Sequence, residues 1–483
     1  MAAPTASFFW HDYETFGRSA RRDRPSQFAG VRTDMELNEI GTPVMHYCQP
    51  APDVLPDPES VLLTGILPQL CQKQGLPEHE FAALIEAELA APGTIGVGYN
   101  SIRFDDEFTR FLFWRCLIDP YAREWRNGCG RWDLLDVVRC TWALRPEGIA
   151  WPLHPDGKPS FKLEHLTGAN GLTHDAAHDA LSDVRATVAL ARIIKTRKPR
   201  LWDFCLKLRE KSAVQAELIS GQPVLHISGM YPASQGCMAI VAPLAPHPSN
   251  RNEVIVWDLA HDPALLLALD AAQIRQRLFT RQEELPEGVL RLPLKTIHIN
   301  KSPIVIRNLA TLTPERAELF GIDKALALRH AEVVARVAGP MLGVWDRVFA
   351  REPSTEPADV DADLYGGFVG DDDRRQLERL RKLTLEELAR TVAKRPPAFR
   401  DERLDELLFR YRARNGRWTL NEGELARWYT HCSERLHGGA GGALSLPAYF
   451  DTIDRLADGA DNRGQTLLAA LYDYAESIAP EMR

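Results

Sequence analysis

Along the first two hundred residues, short alternating runs of hydrophobic and polar positions are separated by stretches of helical period. SFFWHDYET reads as a first strand, QFAGVRTDMELNEIG with PVMHYCQP as a hairpin beside it, and PGTIGVGYN as a strand running into a helix. ALSDVRATVALARIIKTRK carries its apolar residues at helical spacing and stops at Pro199. Strands alternating with helices in this way predict an α/β region over 1–198. The pattern then changes. After a helix around LWDFCLKLREKSAVQAEL, β-rich runs such as PVLHISGMYPASQGCMAIVAPL, NEVIVWDL and LPLKTIHINKSPIVI alternate with turn residues, which predicts a small barrel or sandwich over 199–353. From 354 to 483 the runs RRQLERLRKLTLEELARTVAK, DERLDELLFRYRAR and GQTLLAALYDYAESI keep a helical period, and GGAGGA reads as a loop between helices.

The first strand contains a conflict. Asp12 and Glu14 are two residues apart, so a strand points both carboxylates to one face. The flanking Phe8, Phe9 and Trp10 argue that this strand is buried, where adjacent negative charges are costly without a cation. D-x-E by itself is a weak signal. Asp34-Met35-Glu36 shows it at an expected hairpin turn, where solvated charge suffices. Asp105-Asp106-Glu107 shows it again, and Asp105 there opens an amphipathic helix, where an acid complements the helix dipole. HDAAHDALSDVRATVAL offers H-x-A-x-x-D in two registers, His174/Asp179 and His178/Asp183. Helix phase separates them. Asp179 suits an N-cap, whereas Asp183 shares an apolar stripe with Thr187, Leu190 and Ile194 and so calls for a cation. The second register is preferred.

Composition narrows the setting. A chain of 483 residues exceeds a single core. No apolar run approaches the roughly 20 residues needed to span a bilayer. The start, MAAPTASFFWHD, lacks the basic and apolar regions of a signal peptide. Eight scattered cysteines without a C-x-x-C pair argue against zinc knuckles or a disulfide framework and fit a reducing, cytoplasmic setting. A formal net charge of −8 means that a polyanion must be met by a local basic surface. RFLFWRCLIDPYAREWRNGCGRW is a candidate. It carries Arg110, Arg115, Arg123, Arg126 and Arg131 against Asp119 and Glu124, with aromatics between, although Phe111, Phe113 and Trp114 read as core. DVDADLYGGFVG begins like a calcium loop but has Leu364 where glycine is needed and Gly370 where the bidentate glutamate belongs, so it reads as an exposed acidic turn. FRYRARNGRW stays open between a strand or partner contact and an ordinary helix face.

Taken in order, Asp12-x-Glu14, Asn100-x-x-x-Phe104-Asp105 and His178-x-Ala180-x-x-Asp183 resemble the DEDDh family of 3′→5′ exonucleases, which has an RNase H-like fold. HDYETFG, GYNSIRFDDE, RWDLLDV, ALRPEGI, APLAPHPSNRN, HINKSP and LLFRYRARN extend the likeness over all three regions, to the exonuclease I branch found in bacteria. The resemblance implies an exonuclease domain with a mixed sheet (1–198), an SH3-like β-barrel domain with flanking helices (199–353) and an all-helical C-terminal domain (354–483), arranged to enclose a single strand. The implied activity is hydrolysis of single-stranded DNA from its 3′ end, releasing 5′-mononucleotides, processively, in DNA repair and recombination.

The resemblance also assigns roles. Two Mg²⁺ ions, for which Mn²⁺ can substitute, supply what phosphodiester hydrolysis needs. Asp12 bridges them, Glu14 and Asp183 complete the nucleophile side, and Asp105 serves the second ion. His178 is the general base toward the attacking water. Glu14, Lys162, Arg110, Tyr121, Trp125, Arg139 and Arg145 contact the strand. Lys162 is a departure, since relatives commonly carry arginine there; lysine keeps the charge and loses the bidentate fork. Phe16 is either a stacking platform for the terminal base or core. The expected partners are single-stranded DNA and the acidic C-terminal tail of single-strand-DNA-binding protein, with no membrane and a monomeric state. An exoribonuclease is the nearer alternative, although the length disfavours the short single-domain members. A non-catalytic strand-binding scaffold is the other, and the presence of all five active-site positions speaks against it.

Overall fold

Strand β1 (Ser7–Thr15) is buried on both faces, which explains why its sequence is nearly continuous in hydrophobic residues. In this computed structural model, which describes residues 5–172, 179–219, 221–350 and 359–478, packing divides the chain into two compact units. The first comprises 1–130, 174–185 and 356–483, and the second 131–173 and 186–355.

In the first unit β1 lies between β2 (Pro25–Thr33), antiparallel, and β4 (Thr94–Gly98), parallel, while β3 (Val44–Tyr47) pairs antiparallel with β2. The sheet is therefore mixed, as expected, with local order β3-β2-β1-β4. Alternation along β1 sends Phe9, His11 and Tyr13 to one face, where they stack with Phe28. That cluster continues through Phe81 of α1 (Glu78–Leu89) and Phe111 of α2 (Asp105–Arg115). Fully burying each such ring contributes about 2–3 kcal/mol. The phase that points these rings into the core leaves Asp12 and Glu14 on the opposite face. A register shift between Glu14 and Thr15 bends the strand where it reaches the acids.

The C-terminal region is helical, as its period predicts, and contributes α4 (Arg403–Asn415), α5 (Glu422–Gly438), α6 (Leu446–Ala457) and α7 (Asn462–Ile478) once α3 (Ala180–Arg197) is counted. These helices share cores with the sheet. Leu404, Leu407 and Tyr411 join the Phe9 cluster, and Leu436, Tyr449 and Leu471 pack with Phe16 and Leu55. Phe16 is thus core, which decides against its use as a stacking platform.

One sequence expectation is corrected here and one open reading is narrowed. Asp361, read as part of an exposed acidic turn, is buried at 1% exposure. Together with Asp53 it meets Arg414, whose guanidinium reaches Asp53 Oδ2 at 2.8 Å and also pairs with Asp361. Arg24 adds a contact to Asp361 at 3.4 Å, and Arg435 lies 3.7 Å from Asp53. The run FRYRARNGRW, left open by its sequence, spends most of its arginines inside the fold: Arg410 pairs with Asp359 at 2.8 Å and Arg412 with Glu424 at 2.6 Å, while Arg417 is exposed. Both runs look solvent-seeking in isolation because each holds half of one buried ion network. Burial alone raises the pKa of Asp53 and Asp361, but Arg414 and its neighbours more than offset this and hold both carboxyls below their ordinary range.

In the second unit β5 (Gly130–Asp133) leads from the junction into the helix Leu134–Leu144. Strands β6 (Val224–Ile227), β7 (Met238–Pro246), β8 (Glu253–Asp258), β9 (Leu294–His298) and β10 (Ile304–Ile306) form an antiparallel sheet in the order β10-β6-β7-β8-β9. Its buried Val224, Ile240, Val256 and Trp257 accord with the expected small β domain. No described helix is long and apolar enough to cross a membrane.

Candidate active site

The central strand and one helix build the acid cluster. Asp12 and Glu14 leave β1 on the same face, and Asp183 arrives from the first turn of α3. Asp179 caps that turn, accepting the Ser182 amide at 3.1 Å, which places Asp183 one turn inside the helix as its phase predicts. One carboxylate oxygen from each of Asp12, Glu14 and Asp183 lies within 4.8 Å of the others. Asp105, buried at the start of α2, stands behind them, its Oδ1 accepting the Tyr13 amide at 3.0 Å. The structure therefore brings together the four acids singled out from sequence. His178 lies outside the described residues, as does His174 of the competing register.

Electrostatics set the chemistry of this cluster. Burial, then Asp105, Glu14 and Asp183, push the Asp12 carboxyl well above its usual range. Burial, then Asp183, Asp105 and Asp179, push Glu14 up to about 8. Among the described residues neither Asp12 nor Glu14 has a basic side chain within ion-pair distance. Crowded carboxylates of this kind are a donor set for a hard divalent cation, which takes oxygen ligands and removes the mutual repulsion. The fit is good.

The look-alike acids behave differently. Asp34 folds back on its own turn, accepting the Glu36 and Asn38 amides at 2.9 Å each. Asp106 is spent on buried Arg123 at 2.5 Å.

The expected strand contacts divide into two groups. In the first unit Trp125 is 62% exposed, with Arg126 over its ring at 5.6 Å. Tyr121 carries Arg110 at 5.2 Å from its centroid and approaches Phe368, 91% exposed, at 6.4 Å. These aromatics border a groove of about 460 Å³. Arg110 itself is largely buried and committed to Glu124 at 2.8 Å and Glu107 at 2.8 Å. Arg115 and Arg123 are buried against Glu78 and Asp106. Of the five arginines in the basic run, Arg126 is the one that stands open to solvent. The alternation of basic and aromatic residues reports mostly helix packing here.

In the second unit Arg139 bonds Asp136 at 2.6 Å, Arg145 donates to the Thr311 carbonyl at 3.0 Å, and Lys162 is exposed with Glu164 at 3.4 Å. Sequence reasoning passed over Phe368, which reaches the groove from the turn first compared with a calcium loop, and Tyr365 beside it, whose hydroxyl meets Arg110. The exposed position of Phe368 within that acidic, glycine-rich stretch was the available signal.

An acid cluster that gathers on the central strand of a mixed sheet and on a following helix, and suits divalent cations, defines a nuclease-type hydrolase. A family model described as "Exonuclease" matches residues 9–191, and models described as "Exonuclease I SH3-like domain" and "Exonuclease I C-terminal domain" match 209–351 and 358–478. The chain is 44% identical to exodeoxyribonuclease I of Escherichia coli K12 over 98% of both chains. An exonuclease I structure from Methylocaldum szegediense superposes with a TM-score of 0.92 at 47% identity, covering 98% of this chain and 99% of that one. The zinc-bound form of an E. coli exonuclease I complex with single-stranded DNA gives 0.90 at 42% identity, covering 98% and 100%. The chain belongs to the exodeoxyribonuclease I family.

Proposed function

We propose that this chain hydrolyses single-stranded DNA from its 3′ end and releases deoxynucleoside 5′-monophosphates. The observation that carries the reading is the convergence of Asp12, Glu14 and Asp183 within 4.8 Å on a buried strand and a helix, with Asp105 behind them. The enzyme depends on a divalent metal, Mg²⁺ is our assignment, and Asp12, Glu14, Asp183 and Asp105 would hold it. When bound, such ions offset the negative charge of the scissile phosphate and of the departing oxygen.

The chain's own groups do the rest. Held by β1 and the first turn of α3, the carboxylates fix the site so that the strand end enters in one orientation. His178 takes the proton of the attacking water. Trp125 and Tyr121 stack bases, while Arg110, Arg139, Arg145 and Lys162 serve the backbone. We assign the enzyme a processive, monomeric mode in the repair and recombination of DNA in the cytoplasm, and the acidic C-terminal tail of single-strand-DNA-binding protein as a partner.

Wild type and Asp183→Asn are compared on a 5′-labelled single-stranded oligonucleotide, in Mg²⁺ and in EDTA. A ladder shortening from the 3′ end, lost in EDTA and in the variant, is the expected result. A wild type that binds the strand yet leaves it intact in both Mg²⁺ and Mn²⁺ refutes the enzyme reading in favour of a binding scaffold.

A further inference from the structure

The turn that follows the catalytic strand carries more charge than folding requires. GRSARRDRP, Gly17 to Pro25, joins β1 to β2 and holds four arginines and one aspartate. Two of these charges are structural. Arg24 is buried against Asp361 and Glu78. Asp23 turns inward, accepting the Ser19 amide at 2.7 Å and lying so close to Gly17 that a Cβ there would meet its carboxyl carbon at 2.2 Å. The turn is further pinned by Thr15 Oγ1 donating to the Gly17 carbonyl at 2.6 Å and by the Phe16 amide donating to the Arg24 carbonyl at 2.8 Å. Asp23 is thus committed to the shape of the turn, and its electrostatic reach is to Arg22 and Arg24 rather than to Arg18 or Arg21.

Arg18, Arg21 and Arg22 remain, all exposed, and among the described residues none has a carboxylate partner. Arg22 makes a single 3.4 Å contact to the Gly442 carbonyl. Arg21 lies over the Tyr365 ring at 5.8 Å, and the Tyr365 hydroxyl accepts from Arg110 at 3.2 Å, the same Arg110 that stacks on Tyr121. The turn is therefore contiguous, contact by contact, with the aromatic groove. The arginines bordering that groove are largely neutralised. Arg381 pairs with Glu86 at 2.8 Å, Arg375 pairs with Asp372, and Arg374 pairs with Asp371 and lies 3.8 Å from Asp119. Its rings can stack bases, but much of the uncompensated positive charge beside them stands on the turn.

We infer that Arg18, Arg21 and Arg22 form a phosphate-binding ridge that holds the backbone of the single strand between the acid cluster and the aromatic groove. The inference rests on the reading of the chain as a single-strand exonuclease. Guanidinium groups suit phosphate oxygens because their planar fork offers paired donors and stays charged, and a pinned turn fixes where the three side chains start. Solvated surface charge is the competing account, and salt dependence separates the two.

The test measures binding of a fluorescent single-stranded oligonucleotide in EDTA over a range of salt concentrations. It compares wild type, an Arg18→Gln/Arg21→Gln/Arg22→Gln variant, and a control, Arg390→Gln/Lys394→Gln/Arg395→Gln, which removes the same charge from exposed positions on or next to the helix Leu385–Lys394. Each phosphate contact on a single strand contributes about 0.7 to the slope of log K against log salt, so three contacts lower it by about 2 and weaken binding about 100-fold at ~0.1 M salt. That loss, with the control close to wild type, supports the ridge. An unchanged slope in the turn variant overturns it, as does an equal loss in the control, which would make the effect one of net charge. Shortening of the same oligonucleotide by wild type in Mg²⁺ is followed in parallel. If it proceeds while the slopes are equal, the ridge alone is wrong. If wild type never shortens the strand, the exonuclease reading fails and the ridge falls with it.

Discussion

Replacing Glu14 by glutamine is expected to stabilise the metal-free protein while abolishing its activity. With its carboxyl pushed from 4.5 up to about 8 by burial and by Asp183, Asp105 and Asp179, Glu14 in the folded chain holds a proton that the unfolded chain has released over much of that interval. Stability therefore falls as pH rises through the window, the reverse of a salt-bridged carboxylate. At about 1.4 kcal/mol per pH unit the penalty is about 1 kcal/mol near pH ~5 and about 3 kcal/mol at pH ~7, levelling off near about 5 kcal/mol above pH ~8. Glutamine has nearly the same shape and no proton to lose, so the penalty disappears with the acid. Relaxation of the cluster trims these figures without changing their sign or their trend.

The assay is thermal unfolding of wild type and Glu14→Gln in EDTA at several values between pH 5 and 9, repeated in Mg²⁺. In EDTA the variant should melt higher, by a margin that grows with pH. In Mg²⁺ the margin should shrink or reverse, because a ligand that binds only the folded state raises the stability of the chain able to hold it. A variant that melts below wild type in EDTA at pH 8, or a margin that does not change with pH, refutes the account of Glu14 as a carboxylate kept under electrostatic strain for a cation.

Two further outcomes follow from other parts of the fold. Asp361→Asn leaves buried Arg414, Arg24 and Arg410 short of a countercharge and should cost about 3–5 kcal/mol in urea unfolding, a loss below about 1 kcal/mol being incompatible with the network described. Since that carboxyl is held below its ordinary range, its contribution is fully present above the unfolded-state value and is lost as pH falls through the folded one, so the gap between wild type and variant should close in acid. Trp125→Ala removes an exposed ring from the aromatic groove and should weaken binding of a single strand by about 1–3 kcal/mol, with little change in melting temperature. Fluorescence anisotropy in EDTA reads this directly, and undiminished affinity would place the strand elsewhere.

Much of the active site was legible because its signals were local. The spacing of Asp12 and Glu14 on a strand, the position of Asp105 where a strand gives way to a helix, and the helical phase of Asp183 each follow from backbone geometry within a few residues. Their order along the chain, matched to the DEDDh pattern, is what joined them into one expected site. What the sequence did not show concerns charges whose partners lie from 51 to 337 residues away. Asp361 looked solvated because Arg24 and Arg414 cannot be paired with it along the chain, and the arginines of FRYRARNGRW could not be decided either way for the same reason. Arg115 and Arg123 repeat the lesson within one stretch, where a basic, aromatic composition conceals partners such as Glu78 and Asp106.

A physical asymmetry underlies this division. A buried cation or anion paired in the fold and a solvated one present the same letters, and only packing distinguishes them. Acids that crowd on one face are different, because ordinary packing does not call for them there and the sequence already shows the conflict. The same distinction separates the arginines of the β1–β2 turn from those around the aromatic groove. The groove's arginines are largely absorbed by Glu86, Asp119, Asp371 and Asp372, whereas those of the turn stand exposed beside a site whose substrate is a polyanion. The acid cluster and the ridge beside it thus face binding partners of opposite sign, carboxyls crowded where cations must bind and guanidiniums exposed where phosphates must pass.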